Sequence, residues 1–133
     1  MKENPSFSNM RRPKVLIVDD EPGLVRLLTL NLERMNRYEV LTVEDPNLAL
    51  EAVVNSKPDL VILDWIMPTI TGDDVADQIR ADSRVGDTPI LFLSAFIMKR
   101  DGPQEIAGYT AIAKPFGLNE LVEAIDEQLS RAA

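Results

Sequence analysis

Short apolar runs alternate with amphipathic stretches along almost the whole chain, and that alternation leaves few folds open. "KVLIV" (14–18), "YEVLTV" (38–43), "DLVIL" (59–63), "PILFLS" (89–94) and "TAIAK" (110–114) are strand-length and mostly apolar, as strands are when helices cover both faces of a parallel sheet. The segments between them carry helical periodicity. Leu24, Leu27, Leu28 and Met35 share a face of "PGLVRLLTLNLERM", and Pro22 suits its first turn. Asp45 followed by Pro46 predicts the N-cap and first residue of a helix reaching about Ser56. "DDVADQIRAD" (73–82) predicts the next, and Leu118, Leu121, Val122, Ile125 and Leu129 line one face of the last. Gly102 and Pro103 interrupt the stretch from Phe96 to Gly108, so the fourth helix is expected to be short or irregular. Five strands and five helices in alternation predict an open, doubly wound α/β domain over 13–131. A polar tail at 1–12 is expected to be disordered.

Composition removes several chemistries. The 133 residues include no cysteine and no histidine. Disulfides, thiolate nucleophiles, imidazole metal sites and Ser/His or Cys/His pairs are therefore unavailable within this chain. Oxygen and nitrogen from Asp, Ser and Lys must carry whatever is done. A net charge of −8 and a pI near 4.5 speak against direct nucleic-acid binding, which calls for a basic patch. No stretch has the apolar length of a membrane span, and "MKENPSFSNMRRP" lacks the apolar centre of a signal peptide. A cytoplasmic protein without membrane contact is the expectation.

In an open α/β sheet the site lies beyond the carboxyl ends of the strands. The first strand ends in Asp19, Asp20 and Glu21, the third in Asp64, the fourth in Ser94 and the fifth in Lys114. Carboxylates gathered at one edge repel one another unless a cation neutralises them. Mg²⁺ suits such a set better than Ca²⁺, because it commonly takes one or two carboxylates and keeps water or phosphate oxygens as its other ligands. A carboxylate beside Mg²⁺, with an ammonium and a hydroxyl in reach, is equipped to accept a phosphoryl group as an aspartyl-phosphate.

The stretches "VLIVDDE", "PDLVILDWIMPTITG", "PILFLSA" and "KPF", in this order and spacing, resemble the receiver domain of two-component response regulators. The resemblance covers 13–131 and implies a flavodoxin-like sheet of order 2-1-3-4-5. It implies that Asp64 is the phosphoacceptor and that Asp19 and Asp20 bind Mg²⁺ together with Asp64 and the backbone carbonyl of Ile66. Ser94 resembles the switch hydroxyl, Lys114 the lysine that grips the phosphoryl group, and Pro115 follows in a Lys-Pro pair whose peptide bond is typically cis. The implied function is a phosphorylation-dependent signalling switch rather than a metabolic enzyme. It would be loaded by a histidine kinase or phosphotransfer protein and read by a downstream protein or a linked output domain, with phosphorylation-dependent homodimers as one route. The chain's end at Ala133 leads to the expectation of either a stand-alone receiver or one excised from a longer regulator.

The chain also departs from the family's pattern. Ala111 stands where the family usually has an aromatic residue, three positions before the lysine, and Tyr109 or Phe96 is the expected substitute. Ile66 and Phe96 are apolar at positions that influence attacking water in this family, so slow self-dephosphorylation is expected. Phe96, Ile97 and Met98 either anchor a degraded fourth helix or form a partner patch. Two other readings stay open: a pseudo-receiver that is never phosphorylated, and a phosphatase-type hydrolase with an Asp nucleophile. A nucleotide or flavin site is disfavoured because "DDEPG" is acidic where a Gly-rich phosphate loop would stand.

Overall fold

In the computed structural model, residues 12–97 and 103–132 are described. The chain forms β1 (Lys14–Val18), α1 (Pro22–Arg34), β2 (Glu39–Val43), α2 (Ala49–Ser56), β3 (Leu60–Asp64), α3 (Gly72–Ala81), β4 (Ile90–Ser94), β5 (Gln104–Ile106), β6 (Tyr109–Ala113) and α4 (Leu118–Ala132). A 3₁₀ turn, Pro46–Leu48, leads into α2, and the Asp45 side chain caps it by accepting from the Asn47 N–H. Thr71 caps α3 in the same way, its hydroxyl accepting from Asp74 N–H.

The sheet order is β2-β1-β3-β4-β6-β5. Its first five members are parallel and follow the order expected for the domain. β3 and β4 lie at the centre and are buried along their full length. Alternate side chains feed two cores. Val15, Ile17, Leu60 and Ile62 pack on one face with Leu28 and Leu32 of α1 and Leu121 and Ile125 of α4. Leu16, Val18, Val61 and Leu63 pack on the other with Val53 of α2 and Val75 and Ile79 of α3. At about 25 cal/mol per Å² of apolar surface, this two-sided burial drives folding and fixes the strand register.

One detail differs from the expectation. The short fourth helix falls partly on 98–102, outside the described residues. Where the stretch is described beyond them, Gln104–Ile106 forms an added edge strand, antiparallel to β6, with Ile106 paired to Tyr109. The two-residue turn has Ala107 at φ 52° and Gly108 at φ 85°. Both are left-handed, as a hairpin turn matched to the right-handed twist of its strands requires. The tail expected at 1–12 lies outside the described residues apart from Arg12, whose guanidinium donates to the Asn36 side chain.

Candidate functional site

Parallel strands deliver their last residues to a common edge, and here those residues are polar. Asp19 follows β1, Asp64 closes β3, Ser94 closes β4 and Lys114 follows β6. The register makes this a fixed consequence of the sheet: Asp64 pairs with Leu93, and Ser94 with Ala113. The backbone N–H of Lys114 donates to Ser94 O at 2.8 Å. All five side chains singled out in the sequence, Asp19, Asp20, Asp64, Ser94 and Lys114, therefore sit at one edge.

Lys114 is the centre of the charge arrangement. Its Nζ donates to Asp64 Oδ1 at 3.2 Å and lies 3.6 Å from Asp19 Oδ2 and 3.8 Å from Glu21 Oε1. One ammonium thus faces three carboxylates, with Asp20 beside them. Burial acts to lower the lysine's pKa, but Asp19, Asp64 and Glu21 together outweigh it and raise the value. Glu21 was singled out only as a strand-end carboxylate; its contact with Lys114 across the sheet edge depends on tertiary structure and has no signal in sequence.

The carboxylates are held in an unfavourable state. Asp64 is 7% exposed and Asp19 is fully buried. Burial, then repulsion from Asp19, pushes the Asp64 carboxyl up to about 6, against the opposing pull of Lys114. Burial likewise raises Asp19, although its Oδ1 accepts the Glu21 N–H at 2.9 Å. Asp19 Oδ2 is buried and accepts no hydrogen bond. Such an orphaned anionic oxygen is costly. Asp19, Asp20 and Asp64 each place a carboxylate oxygen within 4.8 Å of the others. Hard oxygen donors at that spacing, one of these residues carrying a buried oxygen without a hydrogen bond, fit a small divalent cation.

Ser94 is fully buried, and its hydroxyl oxygen accepts the Phe96 N–H at 3.0 Å. Phe96, two residues past Ser94, is 72% exposed and Ile66, two residues past Asp64, is 45% exposed, so both strand ends lead into exposed apolar residues. The Lys114–Pro115 peptide bond is cis. Tyr109 sits elsewhere. It opens β6, four residues before the site edge, or roughly 13 Å at strand rise. Its ring packs edge-on against Phe92, 5.2 Å between centroids, and Phe92 packs against Trp65 at 4.8 Å. Ala111 is fully buried opposite Phe92.

One positioning residue went unnoticed in the sequence. Gly72 begins α3 and donates its N–H to Trp65 O at 2.9 Å, closing the loop that follows Asp64. A Cβ at Gly72 would collide with the backbone oxygen of Asp64 and press on the Phe92 ring at 3.0 Å. In sequence it shows as the last residue of "PDLVILDWIMPTITG", directly after the capping Thr71, with nothing local to mark its approach to Asp64.

Among the described residues no helix is long and apolar enough to cross a membrane. Comparison with known proteins agrees with the geometry. Residues 15–126 match the family described as response regulator receiver domain. The chain is 37% identical over 125 residues to the DNA-binding response regulator MtrA of Mycolicibacterium smegmatis, covering 90% of this chain and 52% of that protein. It is 32% identical over 124 residues to the DNA-binding dual master transcriptional regulator RpaA of Synechocystis sp., covering 90% and 50%. The chain thus spans about half the length of these curated relatives. A sensor protein from Polaromonas sp. JS666 superposes with a TM-score of 0.79 at 28% identity, covering 92% of this chain and all of that one. The fold, the acidic edge and these similarities together make the chain a member of the response regulator receiver domain family.

Proposed function

We propose that the domain is a phosphorylation-dependent switch in which Asp64 accepts a phosphoryl group from the phospho-histidine of a kinase or phosphotransfer protein. The observation that carries this reading is the buried Asp64 carboxylate bonded to Lys114 beside Asp19 and Asp20. In the transfer an Asp64 oxygen bonds to phosphorus while the donor's P–N bond breaks, its electron pair returning to the imidazole. Asp19, Asp20, Asp64 and the Ile66 carbonyl would hold Mg²⁺, which when bound supplies positive charge for the phosphoryl oxygens. Lys114 contributes a second positive charge and leaves its contact with Asp64 for a phosphoryl oxygen. An apolar groove of about 460 Å³ opens beside Lys114, lined by Leu24, Leu27, Leu28 and Phe116, and offers a donor protein a docking place next to the acceptor.

The test is intact mass after incubation with a small phosphodonor. A gain of about 80 Da that requires Mg²⁺ and is absent in Asp64→Asn is expected. No gain from a natively folded protein would favour the pseudo-receiver reading, and turnover of a phosphate ester would favour the hydrolase.

The output follows from Ser94. Turning its hydroxyl toward a phosphoryl group would give up the bond from Phe96 N–H, freeing the loop that carries an exposed aromatic ring. This favours Phe96 over Tyr109 as the moving aromatic, since Tyr109 is packed at the far end of β6. Structures with and without a phosphoryl mimic should show the Phe96 ring displaced; an unmoved ring rejects this route. A protein partner or a linked output domain would read the change, by dimer formation or by direct contact.

Self-dephosphorylation is expected to be slow, because the apolar side chains of Ile66 and Phe96, just past the ends of β3 and β4, cannot orient water. Ile66→Asn should shorten the phosphoryl lifetime in a mass time course. A longer lifetime would contradict the role given to these apolar side chains.

A further inference from the structure

At the opposite edge of the sheet, where β4 and β6 begin, a pocket of about 360 Å³ is lined by Arg80, Arg131, Tyr109, Thr110 and Gln128, with the Gly108 turn at its rim. No carboxylate is among the described residues that line it. That is unexpected in a chain with 22 acidic and 14 basic residues. Arg80 and Arg131 each lie in the last turn of a helix, where a cation complements the negative end of the helix dipole. The dipole accounts for one arginine per helix end. It does not account for the lack of an acidic side chain among the described residues that line the concavity the two arginines share.

The pocket is also pre-organised. One terminal nitrogen of Arg80 donates to Gly86 O at 3.0 Å and to Thr88 O at 2.7 Å, and the guanidinium lies 5.3 Å from the centre of the Tyr109 ring. The head group is thus fixed before any ligand arrives, while its other terminal nitrogen and Nε keep their donors among the described residues. Holding a rotamer-rich side chain in place beforehand removes an entropic cost of binding. Gln128, nearly buried, donates its amide to the Thr110 hydroxyl oxygen at 3.0 Å, which leaves the hydroxyl hydrogen of Thr110 to donate in turn. Arg131 forms no ion pair among the described residues and supplies a second guanidinium on an exposed side chain.

We propose that this pocket binds a small oxyanion, a phosphate monoester or a carboxylate, through the guanidinium groups of Arg80 and Arg131 with the Thr110 hydroxyl as a further donor. Guanidinium forks match both kinds of oxyanion geometrically, and the volume falls in the usual range for small-ligand sites. The site is separate from Asp64 and does not depend on phosphorylation.

The test is a ¹H–¹⁵N NMR titration of the whole chain, free of Mg²⁺, with sodium phosphate, sodium citrate and sodium chloride at matched ionic strength. Saturable shifts are expected at the Gly108 and Thr110 amides and at the Nε–H groups of Arg80 and Arg131 with phosphate, citrate or both. Phosphate alone would identify a phosphoryl ligand and citrate alone a carboxylate. Arg131→Gln, an exposed change near the chain's end, should weaken that binding on the order of tenfold while Asp64 still gains its phosphoryl group. Shifts no larger than those with chloride, or an affinity unchanged in Arg131→Gln, would overturn the proposal.

Discussion

The two edges of the sheet treat polar groups in opposite ways. At the amino edge, beside β1 and β2, polar groups are matched to neighbours. Lys14 N–H donates to Asp59 Oδ2 at 2.7 Å and Lys14 Nζ to Ser56 O at 2.9 Å. Tyr38, just before β2, donates its hydroxyl to Asp126 Oδ1 at 2.6 Å while Arg37 binds the other oxygen of the same carboxylate. At the carboxyl edge one ammonium faces several carboxylates, and a buried Asp19 oxygen goes without a hydrogen bond. Matched groups hold the fold together. Mismatched ones store an unfavourable interaction that a cation and a phosphoryl group can relieve, which is why pKa shifts of this kind gather at functional sites.

The contrast predicts opposite signs for removing a polar group at the two edges. The larger effect belongs to Asp64. Its carboxyl titrates near 6 in the folded protein against a reference of 3.8, so the folded state holds the proton more tightly than the unfolded chain does. The stability this provides is complete below about pH 4 and is lost as pH rises through 6. In the presence of a chelator, Asp64→Asn should therefore be more stable than the wild type at pH 7, by on the order of 2 kcal/mol. The gap should close toward pH 4. Urea melts at the two pH values measure it, and a destabilised variant at pH 7 would erase the distinction between the edges.

The smaller effect lies at the amino edge. Tyr38→Phe keeps the ring in its buried place and removes only the hydroxyl, whose pKa is raised by burial and by the bond to Asp126. A loss of about 1 kcal/mol is expected, modest because Arg37 still satisfies Asp126. A thermal melt of the pair suffices to measure it. A stabilised Tyr38→Phe would mean that the amino edge, too, carries stored strain.

Much of this organisation is legible in the chain itself, for a physical reason. Strands buried on both faces must be apolar throughout, so "VLIV", "LVIL" and "ILFLS" declare themselves and so do the polar residues that end them. Because parallel strands bring those ends to one edge, Asp19, Asp64, Ser94 and Lys114 could be placed together without coordinates. Helix caps were equally local: Asp45 before Pro46 marks its turn by its own side chain.

What sequence could not supply depends on partners distant along the chain. β5 is three residues without an apolar pattern, and it exists because the edge of β6 offers hydrogen bonds to it. The reach of Glu21 to Lys114, the close approach of Gly72 to the Asp64 backbone, and the meeting of Arg80 and Arg131 in one pocket each join residues that no period connects. Sequence determined which residues are buried and which end the strands, because burial patterns are written in local periodicity. Tertiary structure alone decided how the charges balance at each edge, because electrostatic energy depends on distances through space and on the water that packing excludes.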